Sequence, residues 1–179
     1  SFGVVLGVAF AEDFLTLYFF YELLTLATLP LVMHFMDEKA RYAGREYLVF
    51  SLSGAAFAFI GIVYLLHYSA TLDFTYGGVL DLALAAGHEP ALQAVFVLAF
   101  FGFGVKAAIF PFYKWLPDAS VAPTPVSALL HAVAVVKAGA FAILRLTYYC
   151  YDVNLLRGSW AQWVCMGAAS FTIFYGAAR

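Results

Sequence analysis

The 179-residue chain is 65% hydrophobic, has 11% charged residues and carries a formal net charge of −2 at pH 7. Soluble globular domains have about a quarter of their residues charged, so this composition places the chain in a membrane. No basic or acidic block favours nucleic acid or a purely electrostatic hold on a membrane surface. The two cysteines, Cys150 and Cys165, predict neither a disulfide framework nor a CxxC metal site.

The sequence opens inside an apolar run and closes just after another one. The stretch that begins at Ser1 has no Met, basic region or small-residue cleavage site at its start, so it does not resemble a signal peptide, and Arg179 follows directly on apolar residues. We therefore expect an internal piece of a longer membrane protein, folded as a single transmembrane domain over 1–179. A spanning helix needs about 20 apolar residues, so the short run 1–11 predicts only the tail of a helix.

Longer apolar segments predict five full spanning helices. Their approximate bounds are 14–35, 47–67, 91–113, 124–149 and 160–178. The charged stretch 36–46 predicts a connection between the first two. Within the long connection 68–90, the sequence GGVLDLALAA predicts a short surface helix.

Lysine and arginine collect at one side of this predicted topology. That side holds Lys39, Arg41, Arg45, Lys114 and Arg179, whereas the other side holds Arg157 and Arg145. Loops rich in Lys and Arg face the cytoplasm. The turn WLPDASVAPTP is therefore predicted to be cytoplasmic, and Glu22 lies in a helix that descends from the outer side.

Two lysines fall near the middle of predicted spans. Lys106 lies in the segment 91–113 and Lys137 in the segment 124–149. On insertion scales a central lysine costs about 2.5–3.5 kcal/mol, so it indicates function and needs a partner. Glu22 is the acidic residue at depth and is the candidate partner of Lys106.

Two further residues on the lysine-bearing segments favour movement of protons. Pro111 follows Lys106 by five residues and predicts a broken helix, because proline removes a helical hydrogen bond and displaces the carbonyl four residues back. In a membrane, broken backbone survives only where it packs in protein or lines a hydrated cavity. His131 precedes Lys137 by six residues, about 120° round a regular α-helix, and could pass protons.

The sequence contains no nucleotide-binding loop and no acidic metal cluster, and the placement of its histidines does not favour a haem. We therefore expect no cofactor, no metal and no redox chemistry in this chain itself. Whether the parent protein belongs to an enzyme is left open by the sequence. The chemistry that the buried charges predict is proton transfer.

Three segments carry a family resemblance. FFYELLTLATLPLV, GFGVKAAIFPFYKWLPDASVAPTPVSALLHA and VVKAGAFAILR resemble the antiporter-like, proton-translocating membrane subunits of NADH-quinone oxidoreductase (complex I), related hydrogenases and multisubunit Na⁺/H⁺ antiporters. The resemblance covers about 14–145. It implies an all-α, polytopic bundle built from inverted repeats. This chain would supply the first repeat, with a truncated leading helix and a broken helix near Pro111, plus the first helix of the second repeat.

The resemblance also implies roles for individual residues. Lys106 corresponds to the proton carrier, Glu22 to the residue that modulates it, and Lys137 to the lysine that receives the proton. His131 corresponds to a histidine found in part of the family. The implied partners are other membrane subunits, the lipid bilayer and protons, with Na⁺ as a second ion, in a prokaryotic inner membrane.

Three functions remain open at this point. A redox-driven proton pump of the complex I type is the first, and a component of a multisubunit Na⁺/H⁺ antiporter is the second. The third, of another class, is a structural membrane subunit whose buried charges only specify packing.

Overall fold

The computed structural model describes residues 1–69, 71–151 and 153–178. This part of the chain is helical, with isolated bridge pairs and no β-strand. Its α-helices are α1 (Phe2–Ala9), α2 (Phe14–Val32), α3 (Glu38–Tyr68), α4 (Leu82–Ala85), α5 (Glu89–Lys106), α6 (Trp115–Asp118), α7 (Thr124–Ala128), α8 (Val135–Arg145), α9 (Val153–Leu156) and α10 (Trp160–Ala178). A 3₁₀ turn spans Ala119–Val121, and π-helical turns span Leu129–Val133 and Leu146–Cys150. The predicted all-α fold is confirmed for these residues.

Four helical stretches in the described part are long and apolar enough to cross a membrane. They are Phe14–Val32, Glu38–Tyr68, Glu89–Lys106 and Thr124–Cys150. α10 was predicted as a further span and is not among them, so the predicted count of five full spans and a truncated one stays a prediction. Arg179, part of the predicted cytoplasmic set, lies outside the described residues.

α3 and α5 form the closely packed centre of the bundle. A Cβ on Gly54 would lie 2.6 Å from the carbonyl oxygen of Gly102, and one on Gly61 would lie 2.6 Å from the Cβ of Ala99. Small residues let two helix backbones approach, and van der Waals packing of this kind drives helix association in lipid. The seam between α3 and α5 therefore fixes α5 up to the turn that carries Lys106.

α3 begins at Glu38, much earlier than the predicted start near residue 47. The Asp37 side chain accepts a hydrogen bond from the backbone N–H of Ala40 at 2.7 Å, which caps the helix. Because this cap starts the helix, the polar residues that follow are helical although they lack an apolar pattern. The predicted connection over 36–46 is thus wrong for most of its length, whereas the predicted short helix after α3 is confirmed as α4.

α5 ends at Lys106, so this lysine lies at the C-terminus of its helix and not near the middle of a span over 91–113. Ala108 has φ 57°, in the left-handed region, which stops the helix before Pro111. A helix continued through Pro111 would clash with the carbonyl group of Ala107. The segment 107–114 consequently runs through turns until α6 begins.

The predicted segment 124–149 is helical but not uniform. A π-helical turn over Leu129–Val133 contains His131, and Ala134 has φ −107° and ψ −77° before α8 begins. A π-turn closes a wider hydrogen-bonded ring than an α-turn and changes the rotation per residue. The predicted angle of about 120° between His131 and Lys137 assumed a regular α-helix, which this stretch is not.

Candidate functional site

Lys106 lies at the centre of the candidate site, fully buried at 0% exposure at the end of α5. The last carbonyl groups of a helix lack intrahelical partners and carry the negative end of the helix dipole. A cation is therefore favoured at this end. Lys106 thus lies in the last turn of α5, where the helix dipole favours a cation, and not at the mid-helix position that the sequence predicted.

The ammonium group of Lys106 has three partners from two adjacent residues. Nζ lies 3.3 Å from Oε1 of Glu22 and donates a hydrogen bond to the backbone carbonyl of Tyr21. Nζ also lies 3.4 Å from the centroid of the Tyr21 ring, a cation–π contact. A lysine ammonium has three N–H donors. The site can thus satisfy the charged form of Lys106 completely.

The predicted partnership between Lys106 and Glu22 is a contact in the structure. At an effective dielectric constant of about 20, unit charges 3.3 Å apart attract each other by about 5 kcal/mol. Desolvation of both groups offsets much of this energy, so the pair is weak evidence of stability by itself. Removing one partner, however, leaves a buried charge without compensation, at a cost of about 3–5 kcal/mol.

Glu22 reaches the ion pair from the more open side. Its side chain is 22% exposed, in contrast to the fully buried lysine. It lines a surface groove of about 330 Å³ together with Tyr18, Leu26 and Phe59. The carboxylate is therefore the member of the pair that charges outside the described fold can approach.

Other contacts hold the backbone around Lys106. The Tyr21 hydroxyl donates to the carbonyl of Phe103 at 3.3 Å, and Nε1 of the buried Trp115 donates to the carbonyl of Val105 at 2.7 Å. A Cβ on Gly139 would lie 2.6 Å from the backbone nitrogen of Ala107 and 3.0 Å from the carbonyl carbon of Lys106. α2, α6 and α8 therefore fix the position of Lys106 jointly.

The structure does not bring His131 or Lys137 into contact with the ion pair. His131 is exposed, and its Nε2 lies 3.0 Å from Oγ of Ser120. Lys137 is exposed and makes no hydrogen bond or ion pair with the residues that the structure describes. Its helix nevertheless passes the site closely, because Gly139 abuts the backbone of Lys106. Their roles in proton transfer stay predictions.

Sequence reasoning missed two residues of the site. Tyr21 contributes a ring and a carbonyl to Lys106, and its position directly before Glu22 was the available signal. Trp115 lies in the turn WLPDASVAPTP, predicted to be cytoplasmic, but it is fully buried. No group of three His, Cys, Asp or Glu residues in the described part of the chain could hold a metal ion.

A second ion pair lies towards the start of α3. Nζ of Lys114 lies 3.3 Å from Oε1 of Glu46 and 3.2 Å from the hydroxyl of Tyr42. The hydrogen bonds with Tyr42 and Glu46 raise the pKa of Lys114 above its ordinary value. Lys114 is exposed, so this pair contributes little to stability. The contact supports the grouping of Lys114 with the basic residues of α3 on one side of the membrane.

The fold and the site define a class of protein: a helix bundle for the membrane with an ionisable pair buried inside it. Residues 11–179 match the family model described as NADH:quinone oxidoreductase/Mrp antiporter, transmembrane. The chain therefore belongs to the NADH:quinone oxidoreductase/Mrp antiporter transmembrane family. The resemblance inferred from the sequence motifs is confirmed.

Individual relatives agree with this assignment. The chain is 35% identical to a Na⁺/H⁺ antiporter subunit of Bacillus subtilis (strain 168) over 176 residues, which are 97% of this chain and 21% of that protein. It aligns with a chain of the Mrp complex from Dietzia sp. DQ12-45-1b at a TM-score of 0.69 and 30% identity, over 85% of this chain and 16% of that one. It also aligns with a chain of the archaeal membrane-bound sulfane sulfur reductase at a TM-score of 0.70 and 28% identity, over 83% of this chain and 30% of that one.

The chain spans about a fifth of the length of its curated antiporter relatives. Membership of a transmembrane family and four apolar helical stretches in the described residues make it a multi-pass membrane protein. These curated relatives come from bacteria, in agreement with the predicted prokaryotic cell membrane.

Proposed function

We propose that the chain forms part of an antiporter-like, ion-translocating subunit of a multisubunit membrane complex, in which Lys106 carries the proton. The observation that carries this proposal is the burial of Lys106 against Glu22 at 3.3 Å. An intramembrane ionisable pair is costly and is typical of ion pathways and proton relays. Membership of the family supports the same function.

In the proposed mechanism, Lys106 binds a proton as an ammonium, and Glu22 and Tyr21 hold it. A neighbouring positive charge that approaches Glu22 from its exposed side weakens the ion pair with Lys106, and Lys106 then releases the proton. About 5 kcal/mol of attraction at 3.3 Å exceeds three factors of ten in an equilibrium constant, which is sufficient to gate a proton. The proton then passes by way of His131 towards Lys137.

The proposed architecture follows the same family. We infer that 1–179 is one transmembrane domain, with a truncated leading helix and five full spans, α10 included. α5 and α6 would be the two halves of a broken helix joined by the segment that contains Pro111. In transporters, such discontinuous helices surround the ion site, and here the break directly follows Lys106.

The antiporter function is favoured by the curated relatives, which are Na⁺/H⁺ antiporter subunits with up to 36% identity to this chain. The partners would then be other membrane subunits, and the ions would be protons and Na⁺. A redox-driven pump is the second candidate, since a chain of an archaeal respiratory membrane complex shares the fold at a TM-score of 0.70. Purification of the full-length protein in mild detergent separates the two: flavin or iron–sulfur subunits accompany it only in a redox complex.

The test of the proposed function is Lys106→Ala in the full-length protein within its complex, with proton transport measured in membrane vesicles. Transport should be lost while the complex still assembles, because no other group in the site can take the proton from the same position. Lys114→Ala is the matched control, since it removes a lysine that is exposed and paired at the same 3.3 Å distance. Normal transport in the Lys106 variant would contradict the proposal.

A further inference from the structure

We propose that Thr172 and Tyr175 of α10 are positioning residues for Lys106, which they hold in place through the segment 107–114. The inference rests on the proposed function. Neither residue touches Lys106; both contact the chain four to seven residues after it. The argument starts from the backbone hydrogen bonds of that segment.

The N–H groups that follow Lys106 have defined acceptors. Those of Ala108, Ile109 and Phe112 donate to backbone carbonyls at 3.1, 3.0 and 2.8 Å. The N–H of Phe110 instead donates to Oγ1 of Thr172 at 3.0 Å, a side chain of another helix. Within lipid an unpaired backbone N–H is costly. Thr172 thus supplies an acceptor that the irregular segment cannot provide for itself.

The Thr172 hydroxyl is oriented for this task. It donates its own hydrogen to the carbonyl of Ala168 at 2.7 Å, one turn earlier in α10. A hydroxyl that donates in this way directs a lone pair away from its helix. The acceptor position that Phe110 uses is therefore fixed by α10 itself.

An aromatic cluster, formed by Phe110, Tyr113, Phe171 and Tyr175, surrounds this hydrogen bond. The rings of Phe110 and Phe171 are 4.6 Å apart between centroids, and those of Tyr113 and Tyr175 are 5.3 Å apart. The hydroxyl groups of Tyr113 and Tyr175 are 2.8 Å apart and share a hydrogen bond. Each end of the turn around Pro111 is thus attached to the second half of α10.

The second half of α10 depends on these contacts for its position. The buried residues of α10, Ala161 and Cys165, lie in its first half. In the second half, Ile173 and Phe174 are exposed beside Thr172. Apolar burial therefore does not hold this half against α5, and the contacts with the segment after Lys106 do. A shift of α10 would displace that segment, and with it the lysine at the end of α5.

The experiment uses Thr172→Val in the full-length protein within its complex and measures the rate and the pH profile of proton transport in vesicles. Valine keeps the shape but cannot accept the Phe110 hydrogen bond, so transport should fall about fivefold, the effect of one lost hydrogen bond. The pH profile should move by about half a unit or more, because the geometry of the ion pair changes. Thr172→Ser should restore both properties.

Thr147→Val is the matched control. The Thr147 hydroxyl also donates to the carbonyl one turn earlier, that of Ile143 at 2.8 Å, and no second partner for it is seen among the described residues. A change of transport in Thr172→Val with an unmoved pH profile, or equal losses in both threonine variants, would show a merely structural role and overturn the inference.

Tyr175→Phe is a second test in case Thr172→Val does not assemble. It removes the hydroxyl pair with Tyr113 and keeps the ring, so the complex should assemble with reduced transport and a displaced pH profile. Wild-type behaviour of this variant, or absence of both variants from the membrane, would overturn the inference. Lys106→Ala distinguishes failure of the proposed function from failure of the positioning role. If Lys106→Ala transports normally, the proposed function fails. If Lys106→Ala is inactive while Thr172→Val transports normally, only the positioning role is refuted.

Discussion

Gly139 is the point at which α8 touches the backbone of Lys106, so Gly139→Ala tests how closely transport depends on that position. A Cβ at this residue would lie 2.6 Å from the nitrogen of Ala107 and 3.0 Å from both the carbonyl carbon of Lys106 and the carbonyl oxygen of Phe103. Ordinary van der Waals contact begins at 3.4 Å. All three neighbours are backbone atoms, so none can rotate aside. To lengthen the 2.6 Å distance to an ordinary contact of 3.4 Å, α8 and the end of α5 must separate by about 0.8 Å.

The expected change in unfolding free energy follows from two opposing effects, and the expected change in transport follows from the ion pair. Overpacking a core costs about 1–3 kcal/mol, and alanine in place of glycine regains up to about 1 kcal/mol of helix propensity. The variant should therefore lose about 1–2 kcal/mol of unfolding free energy. If the separation lengthens the 3.3 Å ion pair by 0.8 Å, the attraction falls by about 1 kcal/mol at a dielectric constant of about 20. That loss corresponds to about a fivefold change in rate.

The assay compares Gly139→Ala with Gly167→Ala in the full-length protein, by thermal unfolding in detergent and by proton transport in vesicles. Gly167 lies within α10 and a Cβ there would meet nothing within 4 Å, so the same substitution should be neutral or slightly stabilising and leave transport unchanged. Equal melting temperatures and equal transport in the two variants would refute the claim that α8 fixes Lys106.

Two further predictions concern Tyr21 and Asp13. Tyr21→Leu removes the ring 3.4 Å from Nζ of Lys106 and should lower transport about tenfold or more, because a desolvated cation–π contact is worth about 2 kcal/mol. Tyr21→Phe keeps the ring, loses only the hydrogen bond to the carbonyl of Phe103 and should transport faster than Tyr21→Leu. Equal rates in the two variants would exclude a role for the ring. Asp13 caps α2, because its side chain accepts a hydrogen bond from the backbone N–H of Thr16 at 2.6 Å. Burial alone would raise the pKa of the Asp13 carboxyl group. The hydrogen bonds from Thr16 and Leu15 outweigh burial and hold this pKa below its ordinary value of 3.8. The stabilisation of the fold by Asp13 is therefore present above pH 3.8 and lost as the pH falls through the lowered pKa. Asp13→Ala should cost about 1 kcal/mol of unfolding free energy at neutral pH and less in acid, measured by unfolding at several pH values. A difference in unfolding free energy between wild type and variant that stays constant with pH would contradict this.

The sequence was sufficient for the ion pair because its signal is local and chemical. Lys106 and Glu22 are charged residues within apolar segments, and the energetic cost of burying each one alone predicts a partner. Their 3.3 Å contact agrees with that reasoning. The family motifs around them indicated the same two residues independently.

The ends of helices were harder to predict. Hydropathy placed Lys106 within an apolar run and the start of α3 near residue 47, but the structure ends α5 at Lys106 and begins α3 at Glu38. Both ends depend on single residues, the left-handed Ala108 and the capping Asp37, which leave hardly any trace in hydropathy. The π-turn that contains His131 is likewise absent from any apolar pattern.

Contacts between distant segments could not be predicted from the sequence. The bond from Trp115 to the carbonyl of Val105 and the bond from Phe110 to Thr172 depend on how helices meet in space. Tyr21 was missed for the same reason: its position beside Glu22 was a signal, but the sequence does not show that its ring and carbonyl face Lys106. Its ring and carbonyl complete the set of partners around the ammonium group.

The most direct test of the central claim is proton transport by Glu22→Gln in the full-length protein, measured beside Glu46→Gln. Both substitutions neutralise the acidic member of a 3.3 Å ion pair, but one pair is buried and the other is exposed. If the Lys106–Glu22 pair controls the proton, Glu22→Gln lowers transport about tenfold or more while the complex assembles, and Glu46→Gln transports normally. A Glu22→Gln variant that is less stable yet transports at the wild-type rate would contradict the account and leave the pair with a structural role alone.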